Sequence, residues 1–134
     1  MDANGIPLAL RLTPANRHDS KELEPLVDAV PPIRQCAGRP RRRPAKLHAD
    51  KGYDFAHLRQ ALRRRGITPR IARRGVDTSQ RLGRHRWVVE RTLAWFSRFR
   101  RLTVRYERRA DMFLAFHQLA AGLICWRFVQ RWFC

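Results

Sequence analysis

The sequence predicts an α/β fold, because short segments with strand character alternate with amphipathic segments typical of helices. The segments with strand character are Ile6–Leu12, Lys46–Ala49 and Arg70–Ala72. The segments between and after them have helical character, and no internal repeat is present. A chain of 134 residues fits one domain at most, so we expect a single domain over residues 1–134.

The first predicted strand begins at a turn. Asn4-Gly5 is a strong hairpin signal, and Ile6–Leu12 is apolar enough to be largely buried. A short amphipathic helix should follow, because Asp19 and Glu22 have the spacing of a capping box. The helix should end before Pro31-Pro32, and its apolar face comprises Leu23, Leu26, Val27 and Val30.

A basic loop, about residues 33–44, leads to the second predicted strand. This strand, Lys46–Ala49, ends at Asp50. Asp54 is placed to cap the next helix, and Gly66 is placed to end it in a left-handed conformation. The apolar side of that helix comprises Leu58, Ala61 and Leu62.

Two long helices are predicted at about residues 79–98 and 110–130. The second is apolar over much of its circumference, so we expect it to pack in the core. Its apolar stretch, Met112 to Trp126, is about fifteen residues long, whereas a membrane span needs roughly 20. No secretory signal pattern is present, and Cys36, Cys125 and Cys134 form no CxxC pair and no zinc spacing. These features indicate a cytoplasmic, nucleoid-associated protein with no membrane contact.

The charge of the chain is strongly positive, with 29 Lys and Arg residues against 11 Asp and Glu residues and a formal net charge of +18. Nucleic acid is the favoured partner, because guanidinium groups match phosphate oxygens and because neutralised phosphates release counterions. Two other interpretations stay open: a ribosome-bound protein, and a surface rich in solvated arginine.

Two carboxylates are candidates for a functional site. Asp50 follows the strand Lys46–Ala49, and ligands of open α/β sheets bind where strands end. Glu90 lies in the middle of a helix, with Arg86 one turn earlier on the same face. Hard oxygen ligands suit Mg²⁺, and two such ions can clamp the attacking and leaving oxygens of a phosphodiester. The alternative is a turn residue at Asp50 and a solvated ion pair between Arg86 and Glu90.

A family resemblance covers nearly the whole chain and is carried by five segments: DANGIPLALRLTPANRHDS, LHADKGYD, HRWVVERT, FSRFRRLTVRYERR and FLAFHQLAAGLICW. They resemble the insertion-sequence transposases of the DDE type, whose catalytic domain is ribonuclease-H-like. The resemblance implies two aspartates and one glutamate that bind two Mg²⁺ (or Mn²⁺) ions. By match, Asp50 is the second aspartate, Glu90 is the glutamate, and Arg86 is the arginine of an Arg-x-x-x-Glu motif.

The match also has departures. The first aspartate of the family lies upstream of the DANG turn, and Asp2 does not take its place. A tyrosine and a lysine often found in the family signature are replaced by Gly83 and Ser97. In the implied strand order 3-2-1-4-5, Ile6–Leu12 is strand 3 and Lys46–Ala49 is strand 4. We therefore expect a partial ribonuclease-H-like domain that lacks the first strand and is held mainly by the two C-terminal helices.

The function implied by the resemblance is DNA transposition, with metal-dependent cleavage and strand transfer at the ends of an insertion sequence. The implied partners are double-stranded DNA and either further copies of the chain or an N-terminal portion that completes it. We expect little activity from this chain alone, and a non-catalytic basic DNA-binding remnant is the alternative. Trp87 or Trp95 either stacks on a base or packs in the core. The arginines expected to contact DNA are Arg41, Arg42, Arg43, Arg64, Arg73, Arg74, Arg91, Arg98, Arg100 and Arg101.

Overall fold

The computed structural model describes residues 1–34, 38–75 and 79–133, and for residues 79–86, 132 and 133 it describes the backbone only. The chain divides into two compact units. Unit 1 comprises Met1–Leu12 and His85–Cys134, and unit 2 comprises Thr13–Arg84. A division by packing does not count domains, so the single domain predicted over residues 1–134 stays a prediction.

From Lys46 onward, the order of helices and strands follows the predicted alternation, whereas the predicted first strand is not formed. Single 3₁₀ turns lie at Asp19–Glu22 and Lys51–Tyr53. The other elements are α1 (Leu23–Asp28), β1 (Lys46–Ala49), α2 (Ala56–Arg64), β2 (Thr68–Ile71), α3 (Ser79–Ser97), α4 (Arg100–Thr103) and α5 (Ala110–Phe133).

The sheet of unit 2 has two parallel strands, β1 and β2, paired from Lys46 with Thr68 to Ala49 with Ile71. Helix α2 connects them, as parallel neighbours require. The predicted strand Lys46–Ala49 is confirmed, and the next strand begins two residues earlier than predicted. This mixed α/β arrangement is compatible with a partial ribonuclease-H-like fold.

The predicted strand over Ile6–Leu12 is wrong, since these residues form no strand. A strand exists only where a neighbouring strand accepts and donates backbone hydrogen bonds. Here pairing stops at the turn itself: Asp2 donates its backbone N–H to the Ile6 carbonyl oxygen at 2.9 Å. The described part of the chain therefore contains two strands where three were predicted.

Among the described residues, the cluster of buried apolar side chains lies in unit 2, contrary to the expectation that the last two helices hold the fold. Helices α1 and α2 pack with the end of β2, which explains why a pair of strands this short persists. The buried cluster comprises Leu23, Val27, Leu58, Leu62, Ile67 and Ile71. Unit 1 adds Ala120 and Ile124 to the buried apolar residues.

Helix α2 ends as predicted, at a glycine with a positive φ. Gly66 has φ +73° and donates its N–H to the Arg63 carbonyl oxygen at 2.9 Å. Ile67 donates its N–H to the Leu62 carbonyl oxygen at 2.9 Å, and both side chains are buried. These two bonds and the apolar contact constitute a Schellman motif, which satisfies helix-terminal carbonyls and directs the chain into β2.

Both predicted N-caps are wrong. The 3₁₀ turn before α1 is capped by His18, whose Nδ1 accepts the Ser20 N–H at 3.2 Å, and not by Asp19. Helix α2 begins after Phe55 without any side-chain cap. Asp54 does not cap it, because its carboxylate is bound elsewhere, as described below.

The predicted basic loop of about residues 33–44 contains a local antiparallel bridge. Ile33 and Arg41 exchange backbone hydrogen bonds of 2.9 and 2.8 Å. Residues 35–37, which include Cys36, lie outside the described residues, as does Cys134.

Helix α5 is less buried than predicted. Ala120 and Ile124 are buried, but several large apolar side chains along the helix are exposed: Met112, Leu119, Leu123, Trp126 and Val129. Residues Ala110–Arg131 are long and apolar enough to cross a membrane, although one such helix is weak evidence and core helices of soluble proteins pass the same test. The expectation that α5 is a core helix is therefore met only at a few positions.

Candidate functional site

Asp50 stands at the carboxyl end of β1. The strand ends at Ala49, and Asp50 continues in extended backbone (φ −78°, ψ −178°) into the 3₁₀ turn Lys51–Tyr53. Its Oδ1 accepts the N–H of Gly52 at 2.9 Å, and the side chain is exposed. Asp50 is thus both the cap of a turn and a solvent-facing carboxylate at a strand end, so the two sequence interpretations are compatible.

The loop that follows Asp50 is fixed by the carboxylate of Asp54. Oδ1 accepts two hydrogen bonds from Arg59, from Nε at 2.9 Å and from Nη2 at 2.6 Å. Oδ2 accepts the backbone N–H of Arg74 at 2.9 Å. The Arg74 N–H and the Arg59 guanidinium hold the pKa of Asp54 below its usual value.

The same cluster ties the loop to the end of β2. Arg59 Nη2 donates to the Ile71 carbonyl oxygen at 2.9 Å, and Arg74 Nε donates to the Lys51 carbonyl oxygen at 3.2 Å. The Arg74 guanidinium also lies over the Phe55 ring, 5.1 Å from its centroid. These hydrogen bonds therefore connect the chain segments that follow β1 and β2, next to Asp50. Sequence reasoning missed this cluster, and the spacing of Asp54 and Arg59 gives no signal for it.

Tyr53 lies three residues after Asp50 and is partly buried. Burial, together with the negative charges of Asp19 and Asp50, raises the pKa of Tyr53. The phenol therefore stays protonated at neutral pH.

Glu90 lies on α3 and is exposed. Next to it, Arg91 lies between the rings of Trp87 and Trp95, with Cζ at 4.3 and 5.0 Å from their centroids. Arg91 Nη2 donates to the Asn4 carbonyl oxygen at 2.5 Å. The side chain of Arg86, the predicted partner of Glu90, lies outside the described residues.

The two tryptophans differ in exposure. Trp95 is half-buried and packs edge-on against Phe128, with ring centroids 5.3 Å apart. Trp87 is 50% exposed, with Arg91 stacked on its ring.

The chemistry of the carboxylates fits a hard divalent cation, since Mg²⁺ prefers oxygen ligands. Asp50 belongs to unit 2 and Glu90 to unit 1, and each is a solvent-facing oxygen donor within its own unit. Within the described residues, no group of three or more His, Cys, Asp or Glu side chains could hold a metal ion. Each unit therefore presents one of the two candidate carboxylates at an exposed position.

The predicted DNA-contacting arginines are exposed except Arg91, which is half-buried. Several of the exposed ones also make side-chain contacts within their own unit. Arg43 Nη1 donates to the Arg65 carbonyl oxygen at 3.2 Å, Arg74 binds Lys51 as described, and Arg101 Nη1 donates to Glu107 Oε1 at 2.7 Å. A guanidinium has five N–H donors, so these contacts leave donors for phosphate.

Comparison with known proteins identifies one family. The family described as "Transposase DDE domain" matches residues 1–125. The "Putative transposase for insertion sequence element IS402" of Burkholderia cepacia is 54% identical over 130 residues, which is 97% of this chain and 62% of that protein. The "Transposase for insertion sequence element IS1106" of Neisseria meningitidis serogroup B is 31% identical over 119 residues, 81% of this chain and 36% of that protein.

The matched region covers only part of these relatives, 62% of the first and 36% of the second. No solved structure matches the chain.

Proposed function

The chain belongs to the Transposase DDE domain family, and from that premise we propose that it takes part in DNA transposition by supplying Asp50 and Glu90 to a metal site. Members of this family generally use divalent metal ions. The proposed site takes two Mg²⁺ or Mn²⁺ ions and is completed by an aspartate from a part of the transposase that this chain does not contain.

The observation that carries the proposal is the position of Asp50. It is an exposed carboxylate at the carboxyl end of a parallel strand, where ligands of open α/β sheets bind. The hydrogen bond from Gly52 orients one oxygen, and the Asp54 cluster holds the backbone that follows. A metal ligand needs this kind of support, because loosely held ligands lose affinity and activity.

The proposed reaction has two phosphoryl transfers. In the first, a water oxygen attacks a phosphorus atom at the end of the element, and the 3′ oxygen leaves as a hydroxyl. In the second, that 3′-hydroxyl attacks a phosphodiester of the target DNA, and a target 3′ oxygen leaves. Bound Mg²⁺ would activate the attacking oxygen and stabilise the leaving one. Asp50 and Glu90 would bind the metal ions and fix their positions. No covalent protein intermediate is needed.

The DNA surface in this proposal consists of the exposed arginines. They contact backbone phosphates, which position the duplex without reading its sequence. Arg41, Arg42, Arg43, Arg64, Arg73 and Arg74 serve this role in unit 2, and Arg98, Arg100 and Arg101 serve it in unit 1. Arg91 was in the same predicted set, but its contacts with Trp87, Trp95 and Asn4 give it a second role, argued below.

The test is a strand-transfer assay with Mg²⁺, using this chain together with the part of the IS402 relative that it does not cover. Asp50→Ala and Glu90→Ala should each lower the rate by about a hundredfold or more, since the metal contributes several kcal/mol of transition-state stabilisation. Asp28→Ala and Asp111→Ala are matched controls, because they remove exposed carboxylates of unit 2 and unit 1 and should leave the rate near that of the parent.

DNA binding, measured in parallel without Mg²⁺, should persist in all four variants. Unchanged strand transfer in both Asp50→Ala and Glu90→Ala would contradict the catalytic assignment. If DNA binding then remained, with its usual salt dependence, the chain would be the non-catalytic basic DNA-binding protein that its charge also allows.

A further inference from the structure

We propose that the turn formed by residues 2–6, here called the docking turn, is a positioning device for Glu90. The inference rests on the proposed function, because it assigns a role in orienting the metal ligand that the previous section proposes. It concerns unit 1 alone, and every contact it uses lies within that unit.

The docking turn is built by the carboxylate of Asp2. Its Oδ1 accepts the backbone N–H of Asn4 at 2.9 Å and that of Ile6 at 2.8 Å. The backbone of Asp2 also binds both sides of the turn, accepting the Gly5 N–H at 3.1 Å and donating to the Ile6 carbonyl oxygen at 2.9 Å. Four hydrogen bonds within five residues give the turn one defined shape.

The turn contacts α3 at Thr92, which is 2% exposed. The Thr92 hydroxyl donates to the Gly5 carbonyl oxygen at 2.8 Å, with the Val88 carbonyl oxygen also within 3.0 Å. Gly5 has φ +79°, and a Cβ atom built there would lie 2.7 Å from Thr92 Oγ1. The approach is therefore so close that only glycine fits, in conformation and in space.

A second contact lies one residue earlier on the helix. Arg91 donates to the Asn4 carbonyl oxygen, and its guanidinium group packs against the rings of Trp87 and Trp95. Arg91 Nε is buried without a hydrogen-bond partner among the described residues. An arginine that serves only as a solvated charge does not adopt this arrangement, because burying an unpaired donor costs free energy. The position of the Arg91 side chain is explained if it holds the docking turn against α3.

Helix geometry connects these contacts to Glu90. Successive residues of an α-helix are rotated by about 100°, so Thr92 projects about 200° from Glu90, on nearly the opposite side of α3. The burial agrees, since Thr92 is buried and Glu90 is exposed. Contacts on one side of a helix fix its rotation about its own axis. The docking turn thereby fixes the direction in which Glu90 projects.

The experiment compares Thr92→Val, Thr92→Ser and Gly5→Ala in the strand-transfer assay described above, with Glu90→Ala and Ile124→Val as references. Valine keeps the shape of threonine and removes the hydroxyl donor, whereas serine keeps the donor. Ile124→Val removes a methylene from a buried residue of α5 and leaves the docking turn intact. The quantity measured is the Mg²⁺ concentration that gives half-maximal strand transfer, at saturating DNA and below each variant's melting temperature.

Thr92→Val and Gly5→Ala should raise the half-maximal Mg²⁺ concentration by about tenfold or more, the range seen when groups that orient metal ligands are removed. Thr92→Ser and Ile124→Val should stay near the parent. Parental Mg²⁺ dependence in Thr92→Val, together with inactivity of Glu90→Ala, would overturn the positioning role and leave the proposed function standing. Full activity of Glu90→Ala would overturn the proposed function and this inference with it.

Equal shifts in Thr92→Val and Ile124→Val would also overturn the inference, because general destabilisation would then explain the result. If Gly5→Ala does not fold, the contrast between the valine and serine variants still decides the question.

Discussion

Arg59 donates two hydrogen bonds to the same oxygen of Asp54, from Nε at 2.9 Å and from Nη2 at 2.6 Å. Both side chains are largely shielded from solvent, being 16% and 20% exposed. The Asp54 carboxylate also receives the Arg74 N–H. Three charge-assisted hydrogen bonds on one carboxylate connect the loop after β1, the helix α2 and the segment after β2.

This cluster predicts an acid-sensitive unit 2. The pKa of Asp54 is lowered from its usual value of 3.8, first by the Arg74 N–H and then by Arg59. A lowered pKa in the folded state contributes stability that is present above the unfolded pKa and is lost as the pH falls through the folded pKa. Asp54→Asn should therefore reduce the free energy of unfolding at pH 7, and should flatten its decline below about pH 4.

Urea denaturation at a series of pH values measures both effects. A parental pH dependence in Asp54→Asn would mean that other carboxylates cause the acid sensitivity. Because Asp54 lies beside the loop of Asp50, the variant should also lower strand transfer in the proposed function.

Two glycines with different backbone conformations should respond in opposite directions to replacement by alanine: Gly66 in the Schellman motif after α2, and Gly122 within α5. Gly66→Ala forces an L side chain into φ +73° and should destabilise the chain by about 1–2 kcal/mol, although no atom lies within 4 Å of the added Cβ. Gly122→Ala, in the interior of α5, also has no atom within 4 Å and has no positive φ. It should stabilise the chain by about 0.5–1 kcal/mol.

Thermal unfolding of the two variants checks this prediction, and neither change touches the candidate site. A Gly66→Ala variant as stable as the parent would show that residue 66 does not need a positive φ at the end of α2.

The elements that sequence reasoning predicted correctly depend on local signals. Strand β1 ends just before Asp50, as the sequence predicted. The end of α2 is marked by Gly66, which adopts the αL conformation without steric cost. The long helices were recognisable from their length and apolar content. Asp50 and Glu90 were selected by position and family resemblance, and their roles as metal ligands stay a prediction.

The features that were missed depend on long-range contacts. Ile6–Leu12 has strand-like composition, but a strand forms only with a partner, and a segment does not encode its partner locally. Asp54 can cap a helix by sequence, yet Arg59 and the Arg74 N–H compete for its oxygens. The contact between Gly5 and Thr92 joins residues 87 positions apart, and the sequence shows the turn without showing where it docks.

Two neighbouring arginines at the end of α2 allow a direct test of the proposed DNA surface. Arg64 is exposed and makes no ion pair within the described part of the chain. Arg65 donates to Glu24 Oε2 at 2.5 Å and to Asp28 Oδ2 at 3.1 Å, and these hydrogen bonds raise its pKa. Its charge is therefore compensated by two carboxylates, whereas that of Arg64 is available to phosphate.

Arg64→Gln should weaken DNA binding and reduce the slope of log K against log salt concentration by about 1, the change expected for one lost phosphate contact. Arg65→Gln should leave the slope unchanged and should lower the stability of unit 2, because it leaves Glu24 and Asp28 without their shared cation. The salt titrations of the two variants, with thermal melts alongside, separate binding from folding. A loss of slope in Arg65→Gln that equals the loss in Arg64→Gln would contradict the proposed surface, because net charge alone would then determine binding.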